Sequence, residues 1–520
     1  MNVPHFLIRS AIQFPSRPLW IDGEGTISFG EGRRRLDRVA ISLLEVAKQY
    51  DRVAILTSNR FEGFEIYLAA MHAGMAAVPM NPRNHPREYA YTITDSSASV
   101  LVYSEEFAST VREIAQFATL PPNVYCIGDW QEGMPGRPYD ELVQGEDLGA
   151  PKVNIDPDDV AWLFYTSGTT GQPKGAMETH RNLVQMVHHF LTGGLDDANE
   201  NDVMLHLAPI SHGTTSIGLV FLARGGAQAF PLSKSFDPEK VCEAIQKYRV
   251  TATMMAPTMV QMLVSSDAIK THNLSSLKSI VYGGAPMHRA VLEDAMKKLG
   301  PVFIQSYGQG EAAACCAALN KQDHICGDDP VKIKRLSSVG REATGVIIRI
   351  VNEAGQELPT GEAGEIAIRS DLVMRGYWNK PEATAAAKVN GWLRTGDVGY
   401  LDDGGYLFLT DRVKDMIISG GSNIYPREIE EVLYTHPAIA EVAVIGLPDE
   451  KWGESVAAIV VLKAGANATQ EELIGYTRQH IASYKKPKRV IFADALPKSS
   501  YGKVLKRELR DHYKAHVPTN

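Results

Sequence analysis

The stretch YTSGTTGQPKGA, Tyr165 to Ala176, follows the apolar run VAWLF, and its reading decides what surrounds it. It gathers Thr166, Ser167, Thr169, Thr170, three glycines and Lys174. A glycine-rich turn between a strand and a helix exposes backbone N–H groups. Hydroxyls and one ammonium complete an anion cradle, and a helix beginning near His180 adds partial positive charge. The ligand such a loop suits is a polyphosphate. Lys174 follows Pro173 and no G-x-x-x-x-G-K-[ST] spacing occurs, so this is not a Walker A loop. Taken alone, the same composition fits a solvated linker equally well.

Outward from the loop, strand and helix patterns alternate. RVAILTS reads as a buried strand, RFEGFEIYLAAMHAGM as a helix and SVLVYS as a strand. Beyond the loop, EKVCEAIQKYRV reads as a helix, TATMMAP as extended, HRAVLEDAMKKLG as a helix and PVFIQSYG as extended. Such alternation predicts an α/β fold with mainly parallel sheets. From about Val339 short strands and Gly-rich turns predict a β-barrel or hairpin section. After DRVKD a smaller α+β segment follows, with a boundary near Lys414.

The chain has 520 residues, enough for two or more domains. It is 44% hydrophobic and 22% charged, with net charge -8, which argues against general nucleic-acid affinity. Five cysteines without CxxC spacing or a nearby His cluster suit a reducing compartment and argue against zinc. The N-terminus lacks an uninterrupted apolar core, and no apolar run reaches transmembrane length. The expected location is cytoplasmic.

Further motifs follow in order: YGGAPM, YGQGEA, RTGDVGYLDDGGYLFLTDRVKDMIISGGSNIYPREIE and PKSSYGKVLKREL. With TSGTTGQPKGA they resemble the adenylate-forming superfamily of acyl-CoA synthetases, peptide-synthetase adenylation domains and luciferases, over nearly the whole chain. The resemblance implies a large N-terminal AMP-binding domain (1–411), a hinge (412–414) at Lys414, and a small mobile C-terminal lid domain (415–520). It implies activation of a carboxylic acid by ATP with Mg²⁺, giving acyl-adenylate and pyrophosphate, and then transfer to coenzyme A. It leaves room for a homodimer.

The resemblance also implies roles. Thr166, Ser167, Gly168, Thr169, Thr170 and Lys174 match the phosphate loop, and Glu311 the Mg²⁺ ligand. Gly283, Gly284, Ala285 and Pro286 form a backbone wall near adenine, with Tyr307 and Gly308 beside it. Asp397 matches the ribose acceptor and Arg412 a nucleotide contact. Lys503 matches the lysine that bridges carboxylate and α-phosphate. YGQGEA carries Gly310 where the family commonly has Thr, which suggests room for a water or a bulkier acyl group. YGQGEA also imitates a dinucleotide fingerprint, Gly308-x-Gly310-x-x-Ala313, but CCAALNKQDHICGDD supplies no convincing second strand, so the match is a decoy.

For the thiol half-reaction, Gly420 and Gly421 are expected to line a pantetheine tunnel flanked by Trp452. Lys486 and Lys488 are expected to meet CoA phosphates. His212 in PISHGTTS resembles the histidine beside the carboxylate in acyl- and aryl-CoA synthetases. Small residues around it, Gly213, Thr214, Gly310, Ala313 and Ala314, favour a medium or long fatty acid or a bulky aryl acid over acetate. The alternatives are a stand-alone adenylation enzyme loading a carrier protein and, from another class, a non-catalytic nucleotide-binding regulator. The regulator would be expected to have lost Lys503 or Glu311.

Overall fold

The computed structural model describes the chain except for residues 24, 146, 167–171, 234, 286, 413–414, 420–421, 450–451, 482, 499–503 and 515–520, and except for the side chains of 411, 412, 418, 422 and 423. Two large sheets dominate. The first has seven strands in the order Arg137–Pro138, Asn123–Ile127, Val100–Ser104, Arg52–Leu56, Ala76–Pro79, Val160–Thr166 and Lys174–Thr179. All its pairs are parallel except the last. Val53 to Leu56 and Val100 to Ser104 are all buried, as expected for parallel strands covered on both faces.

The second sheet has nine strands. Its centre, from Ala227–Ala229 through Val203–Leu205, Ala252–Met255 and Ser279–Gly283 to Phe303–Gln309, is parallel. Beyond it, Ala312–Leu319 returns antiparallel to Phe303–Gln309. Helices fill the space between the sheets. Phe64, on helix Phe61–His72, meets Trp20 edge-on at 5.4 Å and His206 at 5.3 Å. Helix Gly213–Ala223 is buried from Thr214 to Ala223, and beyond the hydroxyls of Thr214, Thr215 and Ser216 its sequence is apolar on every side. Caps set other boundaries: Asp237 accepts from the Glu239 amide ahead of Pro238, and Arg249 closes that helix in the left-handed region.

The hairpin-rich section forms a five-stranded antiparallel sheet in which Trp392–Leu401 pairs with Gly364–Arg369, Lys388–Val389 and Leu407–Arg412. The C-terminal α+β unit has its own five-stranded sheet, centred on the long pair Ile439–Asp449 and Gly453–Leu462, and its own core around Ile429, Val444 and Ile459. It touches the large unit where Tyr434 stacks on His288 with ring centroids 3.5 Å apart. Nearby, Arg427 donates to the Ser337 carbonyl at 3.4 Å. Among the described residues no helix is long and apolar enough to cross a membrane.

Candidate active site

The glycine-rich loop is the tip of a β-hairpin. Val160–Thr166 pairs antiparallel with Lys174–Thr179, so Thr166 stands opposite Lys174, Phe164 opposite Ala176 and Trp162 opposite Glu178. This corrects the expected strand–turn–helix. Helix His180–Thr192 begins only after six residues of strand, about 20 Å along the chain from Lys174. Its dipole therefore does not reach the loop.

Glu311 sits in the turn joining Phe303–Gln309 to Ala312–Leu319. Its Oε1 accepts from Thr166 Oγ1 at 2.9 Å and from the Tyr377 hydroxyl at 2.8 Å. The Lys174 ammonium lies over the Tyr377 ring, 4.5 Å from its centroid. The hairpin and Glu311 therefore meet. Hard oxygen donors, one carboxylate and one hydroxyl, fit Mg²⁺. Among the described residues no group of three or more His, Cys, Asp or Glu exists to cage a metal, so such a cation would lean on substrate phosphates.

Tyr307 and Asp397 also come together. The buried Tyr307 hydroxyl donates to Asp397 Oδ2 at 2.9 Å. Burial, reinforced by the Asp397 charge, holds the phenol's pKa well above its usual value. Asp397 and Arg412 face each other across neighbouring strands, with the Arg412 side chain outside the described residues. Gly283 lies so close to the Ser306 carbonyl that a Cβ there would collide with it. The structure thus brings Gly283, Tyr307 and Gly308, toward the ends of neighbouring strands, close to Asp397, which the Arg412 backbone faces. Gly284 and Ala285 continue the chain from Gly283, Gly284 with φ +77°.

The acyl side departs from expectation in two places. A Cβ on Gly310 would collide with the Phe164 ring and the Thr166 methyl, so the space expected there is filled. Thr214 is fully buried and bonds His206 Nδ1 at 3.3 Å, which turns it into the core. His212 is held by Ser211, whose hydroxyl lies 2.9 Å from Nδ1, and its ring meets Phe164 edge-on at 4.8 Å. Desolvation pushes its pKa down to about 3, so the ring is neutral at ordinary pH. A Cβ on Gly213 would come within 2.6 Å of Met254 Cε. Ala313 is buried, whereas Ala314 adopts φ 62°. For a residue with a Cβ that conformation costs about 1 kcal/mol. The strain sits at a bulge, where Gln309 opposes both Ala312 and Ala313, and it is fixed by Ser306 Oγ donating to the Ala314 carbonyl at 2.7 Å.

Ser167, Gly168, Thr169, Thr170, Pro286, Lys414, Gly420, Gly421 and Lys503 lie outside the described residues. In the C-terminal unit, Trp452 is exposed and the Lys488 ammonium sits 4.9 Å from its ring, also 3.3 Å from Asp449 Oδ2. Lys486 donates to the Ser483 carbonyl at 3.2 Å.

Two residues of this region were not legible in the motifs. Tyr377, in RGYWNK, supplies the second hydroxyl on Glu311. Glu178 lies on the hairpin face that carries Thr166 and Phe164, is 2% exposed, and neither of its carboxyl oxygens has a hydrogen-bond partner among the described residues. Burial first, then repulsion from Glu311, raises its pKa well above the usual carboxylate range, while Lys388 and the nearby Ala313 amide pull it back in part. The Ala313 amide is close but does not reach hydrogen-bonding geometry. The sequence signal for Glu178 is an acid in a strand whose one other charge is Lys174 at its start.

The family described as AMP-binding enzyme matches residues 7–378, and AMP-binding enzyme C-terminal domain matches residues 428–503. The chain is 36% identical over 510 residues to a feruloyl-CoA synthase of an Amycolatopsis species, covering 97% of this chain and 98% of that protein. It is 32% identical over 523 residues to the medium/long-chain-fatty-acid–CoA ligase FadD8 of Mycobacterium tuberculosis, covering 98% and 90%. Among solved structures, ATP-bound MatB from Rhodopseudomonas palustris superposes with TM-score 0.87 at 30% identity, over 100% of both chains.

Proposed function

The chain belongs to the AMP-binding enzyme family, adenylate-forming ligases that act on a carboxylic acid with ATP, and we propose that it is an acyl-CoA synthetase for a medium- or long-chain fatty acid or a bulky aryl acid. The observation that carries this reading is the convergence of Thr166 and Tyr377 on Glu311, with the Lys174 ammonium over the Tyr377 ring. The Tyr307–Asp397 pair supplies a second polar site.

In the first step a carboxylate oxygen bonds to the α-phosphorus of ATP. The bond from that phosphorus to the bridging oxygen breaks, and pyrophosphate leaves. Lys174 and the loop hydroxyls hold the phosphates, Asp397 accepts from the ribose hydroxyls, and Lys503 stabilises charge that builds between carboxylate and α-phosphate. Glu311 and Thr166 would hold Mg²⁺, which when bound neutralises phosphate charge. The neutral His212 ring borders the carboxylate without adding charge to it. In the second step the CoA sulfur bonds to the acyl carbon, AMP leaves, and the thiol proton passes to solvent. Rotation about Lys414 exchanges Lys503 for the segment of Gly420 and Gly421, with Trp452, Lys486 and Lys488 toward CoA.

Support for a large acid comes from Ala313 and Ala314 beyond Glu311, and from Met254, an unbranched side chain that yields readily, over Gly213. The two relatives, one named for feruloyl and one for medium- and long-chain fatty acids, support the same size class. The test is product analysis with ATP, Mg²⁺ and CoA across acetate, octanoate, palmitate, benzoate and ferulate. At least one large acid is expected to give the CoA thioester, with acetate at least ~10-fold poorer in kcat/KM, the discrimination a few methylenes supply. Preference for acetate, or transfer only to an amine or a carrier protein, overturns the proposal.

A further inference from the structure

Asp95 lies outside every motif, in the last turn of helix Pro86–Ser96, where the helix dipole disfavours an acid. Its surroundings account for it. Oδ2 accepts from the Tyr165 hydroxyl at 2.8 Å, and Oδ1 pairs with the Lys380 ammonium at 2.8 Å. Its backbone carbonyl accepts from Trp378 Nε1 at 3.0 Å. The Asp95 side chain is 10% exposed, so this is not a loose surface pair.

These partners hold both legs of the glycine-rich hairpin. Tyr165 immediately precedes Thr166. On the other leg, the Trp378 amide donates to the Gly175 carbonyl at 2.8 Å, and the Met177 amide donates to Gly376 at 2.9 Å. Tyr91, on the Asp95 helix, spends its single phenolic proton on the Pro173 carbonyl at 3.0 Å, the shorter of its two contacts. Tyr377, between Gly376 and Trp378, is the residue that bonds Glu311. The Asp95 carboxylate thus joins the strand entering the loop to Lys380, while its backbone carbonyl holds Trp378, whose segment bonds both the strand leaving the loop and Glu311.

We propose that Asp95 is a positioning residue for the nucleotide, which fixes the distance between the hairpin's Thr166 and Lys174 and the Glu311 carboxylate. It acts through Tyr165 and the Tyr377–Lys380 segment and does not itself touch substrate. The proposal rests on the reading that this hairpin holds the phosphates of ATP.

The test is ATP affinity by calorimetry on the full chain for wild type, Asp95→Ala, Asp95→Asn and Tyr165→Phe, with thermal midpoints alongside. Conversion of supplied acyl-adenylate and CoA to thioester, which needs no pyrophosphate chemistry, is the companion assay. Tyr165→Phe removes one charge-assisted hydrogen bond, so ATP affinity is expected to fall about tenfold. Asp95→Ala is expected to fall further. Asp95→Asn, which keeps an acceptor for Tyr165, should recover part of the loss. Adding Tyr165→Phe to Asp95→Ala should cost nothing more, because both act through one contact. Thioester formation from supplied acyl-adenylate stays at the wild-type rate. Unchanged ATP affinity in Tyr165→Phe and Asp95→Asn overturns the role of Asp95 alone. Loss of both half-reactions together with a fallen midpoint in Tyr165→Phe also overturns it, since that is a structural role. A wild-type chain that binds no ATP overturns the nucleotide reading as well. If Asp95→Ala does not fold, Tyr165→Phe decides the matter.

Discussion

Glu311→Gln is expected to slow acid-dependent pyrophosphate release by at least ~10²-fold, the scale of losing one preorganised electrostatic contact in a transition state. The substitution isolates charge from shape. Thr166 and Tyr377 both donate to Glu311 Oε1, and the glutamine carbonyl offers the same acceptor at nearly the same place. The hairpin therefore stays tied to the Phe303–Gln309 strand, and only the negative charge is removed. That charge is what the proposed role requires, because a divalent cation on the phosphates needs a hard anionic ligand. Initial rates for both proteins across a Mg²⁺ titration make the comparison. A loss smaller than ~5-fold at every Mg²⁺ concentration would show that the Glu311 charge serves only its two hydroxyl neighbours, whose bonds are together worth only a few kcal/mol.

Glu178→Gln is expected to stabilise the protein, and by more as pH rises. Burial raises the folded-state pKa of Glu178 above 4.5, its ordinary value. Above that pH the unfolded chain releases the proton while the folded chain keeps it. The favourable contribution of the neutral form is complete below the unfolded pKa and is lost as pH rises toward the folded one. Glutamine has no proton to lose and escapes this decline. The buried amide keeps the cost of an unpartnered polar group at both pH values, so the gain is the linkage term, roughly 1–3 kcal/mol between pH 5 and pH 8, with Lys388 setting the lower end by partly offsetting the ionised form. Denaturant unfolding of both proteins at pH 5 and pH 8 measures it. Stability differences that are equal at the two pH values would contradict a raised pKa at Glu178.

The alternation of strand and helix was legible because buried parallel strands and amphipathic helices write different periods. RVAIL, ATMM and the helix around EKVCEAIQKY formed where those periods place them. The hairpin was not legible. KGAMET offers no alternating apolar face, since Lys174, Ala176 and Glu178 share one side with Phe164 and Trp162 across the strand. The dinucleotide-like match at Gly308 dissolved for a related reason. CCAAL belongs to a strand after all, but one that folds straight back antiparallel, with no helix after the glycines. At the site, Thr166, Lys174, Glu311, Tyr307 and Asp397 could be named because motifs carry them. Tyr377 and Asp95 could not, because their roles arise from contacts across 66 and 70 residues of chain. Gly310 shows the converse error. A missing side chain suggests open space, and the neighbouring Phe164 ring fills it.

The most direct measurement of the central claim is exchange of labelled pyrophosphate into ATP, with the full chain, Mg²⁺ and one carboxylic acid at a time, in the absence of CoA. If the chain activates carboxylates as adenylates, label enters ATP only when an accepted acid is present, AMP rather than ADP is the nucleotide product of net turnover, and CoA is not needed for exchange. Exchange that is independent of the acid, cleavage that yields ADP and phosphate, or a strict need for CoA before any label enters ATP would contradict the account.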